Sequence, residues 1–179
     1  MHRAQFLAQL ERYSERYPDE SEVTSRFIEF VRTHRDCFER SLKVGHVTSS
    51  AWVLDKASQR TLLTHHKKLD RWLQLGGHID GNPSVLESAA REAREESGIE
   101  TLASVYPEIF DVDIHTIPAC GDEPEHLHYD ARFLFRVTKT DEFVVGEESN
   151  ELAWVPIDQL DGHTQEESIQ RMAKKTPTG

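Results

Sequence analysis

The sequence predicts an α/β fold that is preceded by a helical N-terminal extension. Three observations support this prediction: helical periodicity fills the first 43 residues, strand-like runs follow, and one strongly patterned helix interrupts those runs. The 179 residues, of which 37% are hydrophobic, suffice for one domain with a sizeable core. We therefore predict an extension over residues 1–43 and an α/β domain over residues 44–179.

Three helical pieces are predicted in the extension. The first covers residues 3–17 and ends before Pro18, the second begins near Asp19 or Ser21, and the third covers residues 36–42. Apolar residues recur at helical spacing in the first two pieces, at Phe6, Leu10, Tyr13 and Tyr17, and at Val23, Phe27, Phe30 and Val31. We expect these faces to pack on the domain, the alternatives being a contribution to the substrate pocket or a dimer contact.

Two strands are predicted to open the domain. Residues 45–55 and 60–66 are rich in β-branched and apolar residues, and residues 56–59 between them read as a turn. Residues 72–75 then lead into the pair Gly76 and Gly77.

The next element is a predicted helix that begins at Asn82 and ends at Gly98. Asn is a favoured N-cap, Pro83 is tolerated at the first helical position, and Gly is the commonest residue after a helix end. The residues at positions i, i+3, i+4 and i+7 are apolar and mostly small, and they are Leu86, Ala89, Ala90 and Ala93. Such a face predicts close packing on the sheet.

Strands are predicted again after this helix. Residues 101–117 contain two strand-like stretches, and residues 109–115 alternate so that Phe110, Val112 and Ile114 would face the core. Residues 126–137 form a long strand with one polar side, which is either a solvent face or the lining of a pocket. A strand over residues 151–156 and a helix over residues 164–174 complete the prediction, and residues 176–179 read as a frayed tail.

Three carboxylates share one flank of the predicted central helix. At about 100° per residue, Glu92, Glu95 and Glu96 gather on one side of the alanine face, and Glu87 and Arg91 gather on the other. Like charges at this spacing repel unless a cation lies among them. Hard divalent ions such as Mg²⁺ prefer oxygen ligands, so the flank is either a metal site or a solvated acidic surface.

The order of residues around these glutamates resembles a known family. Residues 91–99 read R-E-A-R-E-E-S-G-I, and they resemble the second half of the Nudix box, R-E-U-x-E-E-x-G-U with U apolar. Gly77, fourteen residues before Arg91, stands where that box begins. The first half departs from the pattern, because Pro83 occupies the position of a Glu. Glu87, one helical turn before Arg91, is spaced to form an ion pair with it.

The resemblance implies a Nudix-type α/β/α sandwich with a mixed β-sheet, and a hydrolase that depends on Mg²⁺ or Mn²⁺. Such an enzyme would cleave the pyrophosphate bond of a nucleoside diphosphate linked to another moiety, such as a nucleotide sugar or a nucleoside triphosphate. The implied metal ligands are the Gly76 carbonyl and the carboxylates of Glu92, Glu95, Glu96 and Glu148. Glu92 or Glu148 is the expected general base, with Glu147 and Glu151 as rivals of Glu148, and Arg91 is assigned to the catalytic group.

Substrate phosphates would need local positive charge in an acidic chain. His66, Lys67 and Lys68 form a basic segment before the glycine pair, and Arg132 on the long strand is a further candidate. Trp72 is a candidate for stacking on a base, although a core position is equally compatible with it. His78 is placed to hydrogen-bond a phosphate or to move a proton.

Composition excludes several classes of protein. A formal net charge of −11 argues against nonspecific binding to nucleic acid or to a membrane. No segment has the apolar length of a membrane span, and the residues after Met1 lack the apolar core of a secretory signal. We therefore expect a cytoplasmic protein whose partner is a small nucleotide substrate, and a homodimer is possible.

Two further residue types bear on function. His115, His126 and His128 are the candidates for a Zn²⁺ or Fe²⁺ site, but their separate placement and the lack of an HxxxH or cysteine partner predict no dedicated site. Cys37 and Cys120 are predicted to be unpaired thiols. An isopentenyl-diphosphate-isomerase-like enzyme would need a cysteine in its site, and a catalytically silent nucleotide-binding module is the other alternative.

Overall fold

The computed structural model describes residues 2–82, 84–146 and 149–177. The α-helices are α1 (His2–Arg16), α2 (Ser21–Thr33), α3 (Val85–Ser97) and α4 (Glu167–Lys175), and 3₁₀ segments cover Pro18–Glu20 and Ile157–Gly162. The strands are β1 (Gly45–Leu54), β2 (Arg60–His66), β3 (Arg71–Leu73), β4 (Leu75–His78), β5 (Leu102–Ser104), β6 (Asp111–Ile117), β7 (His126–Val137) and β8 (Ser149–Pro156). No helix within these ranges combines the length and the apolar character that a membrane span requires.

The first two predicted helices are confirmed, and both pack on the domain. Phe6 and Phe27 are buried and meet edge to face with ring centroids 5.7 Å apart. Phe30 of α2 stacks on Tyr129 of β7 at 3.8 Å between ring centroids. Aromatic contacts of this kind add to the free energy of burying apolar surface, so α1 and α2 are held against the sheet.

The predicted third helix at residues 36–42 is wrong, because the segment is a series of turns. Its backbone hydrogen bonds span three residues, as from Leu42 to Glu39, rather than the four residues of an α-helix. The carbonyl oxygen of Cys37 accepts from the amide of Val47 at 2.7 Å, and that of Phe38 accepts from Gly81 at 3.1 Å. These carbonyls are thus hydrogen-bonded to the domain and are not available as acceptors within a local helix.

The predicted mixed sheet is confirmed, and β1 lies at its centre. β1 pairs in parallel with β7 over its whole length, and it pairs antiparallel with β4 and, at its end, with β2. β2 also pairs with β3 and β8, whereas β7 pairs with β5 and β6. The central strand therefore touches the glycine-containing strand β4 on one side and the polar strand β7 on the other.

Both faces of the sheet are covered, as the predicted sandwich requires. Val47 and Ala51 of β1 belong to a large core that contains residues of α1, α2 and α3, including Ala89. Trp52, also on β1, belongs to a smaller core that includes Met172 of α4. Alternate residues of one strand thus enter different cores, as strand geometry dictates.

The start of α3 differs from its prediction. Ser84, rather than Asn82, is the N-cap, and its Oγ accepts a hydrogen bond from the amide of Glu87 at 3.4 Å. The side chain of Asn82 instead accepts from the amide of Ser84 at 2.9 Å, which makes a turn before the helix. Gly98 ends the helix with φ of 68°, as predicted. Pro83 lies outside the described residues.

The alanine face of α3 is confirmed, with one exception. Ala89, Ala90 and Ala93 are buried against the sheet, whereas Leu86 is only partly buried. Val85 and Ser88 are buried in addition, so the packed face is turned slightly from the predicted one.

Candidate active site

The acidic flank of α3 forms one wall of a cavity of about 320 Å³. β4 and the loop after it form a second wall, and Gly146 and Ser149 also line the cavity. The lining residues are Arg40, Gly76, Gly77, His78, Asp80, Glu92, Glu95, Glu96, Gly146 and Ser149. The three carboxylates that the sequence placed on one helical flank therefore face a single cavity.

The two glycines of β4 allow the backbone of this strand to lie against carboxylates of α3. A Cβ added at Gly77 would lie 2.6 Å from Oε2 of Glu92, closer than real Cβ contacts come. The amide of Gly76 donates to Oε2 of Glu96 at 3.3 Å. Gly76 has φ of 158° and packs on Ser50 of β1, so a side chain would not fit there either. The glycine pair thus sets how closely β4 approaches α3.

Arg91 forms ion pairs with two of the three carboxylates. Its guanidinium lies 2.8 Å from Glu92 and 2.9 Å from Glu95, and it donates to the carbonyl of His78 at 2.9 Å. The predicted ion pair between Arg91 and Glu87 is wrong, because the side chain of Glu87 is exposed at the start of α3 while the guanidinium turns to the later glutamates. Arg91 therefore positions the acidic flank relative to β4.

Negative charge predominates in this cavity. Burial raises the pKa of Glu92, and the charges of Glu95 and Asp80 raise it further, although Arg91 opposes them. Several carboxylate oxygens beside the backbone of Gly76 make a donor set of hard oxygens, which fits Mg²⁺ or Mn²⁺. A cation at these oxygens would also relieve the repulsion that raises the pKa of Glu92.

Two predicted catalytic residues, Glu147 and Glu148, lie outside the described residues. Gly146 and Ser149, which flank them in the chain, both line the cavity. Glu151, the other rival, is exposed on β8 opposite His65 and is not part of the lining. The metal and base roles of Glu148 stay predictions.

The predicted substrate-binding residues are dispersed. His78 lines the cavity, whereas Lys67 and Lys68 are exposed in the turn after β2 and do not line it. His66 is opposite the cavity residue Ser149 in the β2–β8 ladder, so this basic segment begins near the rim. Trp72 is outside the lining and contacts the rings of two histidines, His65 and His163.

Arg132 is buried beneath carboxylates and does not reach the cavity. It donates to Asp130 at 2.8 Å, to Asp111 at 3.1 Å and to Asp113 at 3.2 Å, and 2% of its side chain is exposed. Burial lowers the pKa of Arg132, but the three carboxylates outweigh this effect and raise it. The polar side of β7 is therefore an internal ion cluster at this point, neither a solvent face nor a phosphate site.

The same cluster joins the C-terminal helix to the sheet. Asp111 is fully buried and also accepts from Arg171 at 2.8 Å and from Lys175 at 2.7 Å. Burial raises the pKa of Asp111, but the hydrogen bond from Arg171 and the charges of Arg132 and Lys175 lower it below its ordinary value. Asp111 is therefore a charged group that the fold requires in its ionised form.

Sequence reasoning missed two charged residues of the cavity, Arg40 and Asp80. Arg40 belongs to the extension, in the segment predicted to be helical, where no motif distinguishes it. The hydrogen bond from Gly81 to the carbonyl of Phe38 brings that segment to the loop after β4. Asp80 adopts φ of 51° in this loop, a conformation that Asp tolerates better than most residues do.

Histidines meet at the end of the sheet next to the cavity, contrary to the expectation that they lie apart. His46, His78 and His128 each offer a ring nitrogen, and within the described chain these nitrogens lie within 4.8 Å of one another. His46 was not singled out from the sequence, because its neighbours are close only through strand pairing. His115 contacts the cluster through His128, at 5.5 Å between ring centroids.

Comparison with protein-family models matches residues 45–175 to the model described as NUDIX domain. The matched range contains Gly76 and all three cavity glutamates of α3, and it begins after Arg40. No curated protein matches the chain.

Several solved structures share the fold. An Ap4A hydrolase from C. elegans, solved as a binary complex, is 17% identical with a TM-score of 0.58, and the match covers 72% of this chain and 93% of that one. A NUDIX-family hydrolase from Clostridium perfringens is 25% identical with a TM-score of 0.53, over 73% and 95% of the two chains. The dihydroneopterin triphosphate pyrophosphohydrolase of E. coli is 15% identical with a TM-score of 0.55, over 72% and 92%.

Proposed function

Because the chain belongs to the Nudix hydrolase family, we propose that it is a divalent-metal-dependent enzyme that cleaves the pyrophosphate bond of a nucleoside diphosphate linked to another moiety. One observation carries the proposal: Glu92, Glu95 and Glu96 line one cavity together with the glycine pair. A solvated acidic surface, the alternative reading of this flank, would not place the carboxylates against a strand backbone.

The carboxylates of Glu92, Glu95 and Glu96, with the carbonyl of Gly76, are the groups proposed to hold Mg²⁺ or Mn²⁺. When bound, such an ion neutralises phosphate charge and lowers the pKa of a water molecule in contact with it. The hydrogen bond from the amide of Gly76 to Glu96 holds that carboxylate against β4. The donor set is thus fixed by two elements, α3 and β4, that pack on each other.

Proton transfer is assigned to Glu92, with Glu148 as the rival. Glu92 lines the cavity, so its carboxylate is placed to accept a proton from a water molecule there. Arg91 keeps this carboxylate in place through a contact of 2.8 Å, so it acts as a positioning residue. Exposed Arg40 at the cavity is suited to attract the phosphates of the substrate, and His78 is placed to hydrogen-bond one of them.

The isomerase-like alternative receives no support from the cysteines. Cys37 is buried in the large core, and burial raises the pKa of its thiol to about 11. Cys120 is exposed, and neither cysteine lines the cavity. Metal-dependent turnover of a substrate panel distinguishes the enzyme from a silent nucleotide-binding module.

The test is hydrolysis of a substrate panel with Mg²⁺ and with Mn²⁺. The panel contains nucleotide sugars, nucleoside triphosphates, Ap4A and dihydroneopterin triphosphate, the last two being named after the similar hydrolases from C. elegans and E. coli. We expect metal-dependent release of phosphate-containing products from at least one member. Tight binding of nucleotide without turnover on any member would favour the silent module.

The matched variants are Glu95→Gln and Glu96→Gln, with Glu87→Gln as the control on the same helix. We expect the first two to lose roughly 100-fold or more in kcat, since each removes a charged oxygen from the proposed metal site. Glu87 is exposed outside the cavity, so its variant should keep the activity of the parent protein. Equal activity of Glu96→Gln and the parent protein would refute the proposed mechanism.

A further inference from the structure

Three adjacent strands bring three imidazoles to one place. His46 of β1 is directly opposite His128 in the parallel β1–β7 ladder, and His78 of β4 is opposite Thr48, two residues along β1. Side chains two residues apart on a strand share a face, so all three rings lie on the same side of the sheet. Their centroids are 4.8 Å, 5.1 Å and 5.4 Å apart in pairs.

His46 is buried without a hydrogen-bond partner. Only 1% of the residue is exposed, and neither Nδ1 nor Nε2 makes a hydrogen bond within the described chain. The backbone of Leu42 is near enough to raise the pKa of His46, but it forms no hydrogen bond with either ring nitrogen. Buried polar atoms are nearly always satisfied in folded proteins, so a ligand for this ring is expected.

The protonation state of the cluster suits a cation ligand. Burial and the neighbouring histidines lower the pKa of His46 to about 4 and that of His128 to about 2, and burial and Arg40 lower the pKa of His78. The rings of His46 and His128 are therefore neutral at pH 7, the form that binds a metal ion. The carboxylates of Asp80 and Glu123 face His78 and oppose the positive charge of Arg40.

A second layer of contacts orients the cluster. Nε2 of His126 lies 3.3 Å from Nε2 of His128, and the Nδ1 of His126 contacts the carbonyl of Pro124 at 2.9 Å. Imidazoles that bind metals are commonly fixed through such outer hydrogen bonds. His126 thus restrains the orientation of His128 from the same strand.

We propose that His46, His78 and His128 form a binding site for Zn²⁺ or a related transition-metal ion, separate from the carboxylate site on α3. Imidazole nitrogen is a preferred ligand of Zn²⁺ and a poor one for Mg²⁺. Two nitrogens on one tetrahedral zinc ion are about 3.4 Å apart, so an ion would have to draw the nitrogens, now up to 4.8 Å apart, closer by about 1.4 Å at most. Three ligands leave a fourth position for water.

The test is metal titration of the purified full chain, freed of any histidine tag and pretreated with a chelator. Co²⁺ is added first, because its visible spectrum reports imidazole coordination, and Zn²⁺ is then added to displace it. We expect one equivalent of Co²⁺ per chain and full displacement by Zn²⁺ in the presence of excess Mg²⁺. This readout needs no substrate, so it is independent of the proposed hydrolase activity.

The variants His78→Gln and His128→Gln should each weaken Zn²⁺ binding by roughly 100-fold or more, because each removes one of three ligands. His78 is only partly buried, so its variant is expected to fold even if changes at buried His46 do not. His65→Gln, on β2, and Glu96→Gln serve as controls with unchanged Zn²⁺ affinity. No stoichiometric binding by the parent chain, or unchanged binding by both cluster variants, would overturn the site. Loss of binding in Glu96→Gln alone would place the ion among the carboxylates, and that outcome also overturns it.

Discussion

Gly77→Ala is expected to damage catalysis while leaving the fold intact. The added Cβ would lie 2.6 Å from Oε2 and 2.7 Å from Cδ of Glu92, whereas ordinary contact begins at 3.4 Å. The carboxylate must therefore retreat by about 0.8 Å. Gly77 lacks a positive φ, so the substitution strains no backbone and the strain falls on the end of a flexible side chain.

A displacement of this size has a large effect at a reacting centre. Misplacement of a catalytic group by about 1 Å can cost roughly 100-fold in rate, which corresponds to ~2.7 kcal/mol in the activation free energy. The free energy of unfolding should change by less than ~1 kcal/mol, because Ala also restricts the unfolded chain. We therefore expect a loss in kcat that is far larger than any loss of stability.

The assay compares kcat on the best substrate of the panel with the urea midpoint, for Gly77→Ala and for Gly162→Ala. Gly162 also lacks a positive φ, and a Cβ there would meet nothing within 4 Å, so its variant should keep the kcat of the parent protein and a urea midpoint that is no lower. Full activity of Gly77→Ala would refute the inferred contact between β4 and Glu92. A fall in stability that matches the fall in activity would refute the assignment of the effect to positioning.

Three further predictions concern the cavity rim, the helix start and the ion cluster. Arg40→Ala should raise KM about 3- to 10-fold with little change in kcat, because an exposed cation near the phosphates mainly aids binding. Steady-state kinetics measures this, with Arg35→Ala, at an exposed arginine outside the cavity lining, as the control. Equal KM values for the two variants would contradict the prediction. Ser84→Ala should lower the free energy of unfolding by about 0.5–1 kcal/mol, because it removes the N-cap of α3. The loss is expected to be modest because the hydrogen bond that it removes is long. Urea unfolding measures the change, and an unchanged midpoint would contradict a capping role for Ser84. The lowered pKa of Asp111 means that its stabilising contribution is complete above the unfolded pKa of about 3.9 and is lost as the pH falls through the lower folded value. Urea midpoints should therefore drop steeply below pH 4, and Asp111→Asn should flatten this dependence; an identical acid response of the variant would exclude Asp111 as its source.

Much of the site could be predicted because it lies within one helix. Glu92, Glu95 and Glu96 share a flank through helical geometry alone, and the resemblance to the Nudix box added Gly76 and Gly77. Helix and strand periodicity likewise predicted most of the individual elements, and the resemblance implied the sandwich. Such features depend on residues near one another in sequence, where spacing determines which side chains share a face.

The remainder depends on strand pairing and loop contacts that no local pattern reveals. The sequence made Arg132 a candidate for phosphate binding, but in the structure it forms ion pairs with Asp111 and Asp113 of the neighbouring strand. His46 and His128 became neighbours through a parallel register that spacing does not encode. The division at residue 43, the cytoplasmic location and a homodimer stay predictions.

The backbone hydrogen bonds that the carbonyls of Cys37 and Phe38 accept have a bearing on how substrate choice evolves. They fasten the segment before β1 to the catalytic domain, and Arg40 in that segment reaches the cavity although it lies outside residues 45–175, the range that the NUDIX model matches. Under the proposed function, a residue outside the matched range contacts the substrate, so substrate preference can change there while the proposed metal ligands stay fixed. Relatives that share only the domain are then a guide to the chemistry but a poor guide to the molecule that is cleaved.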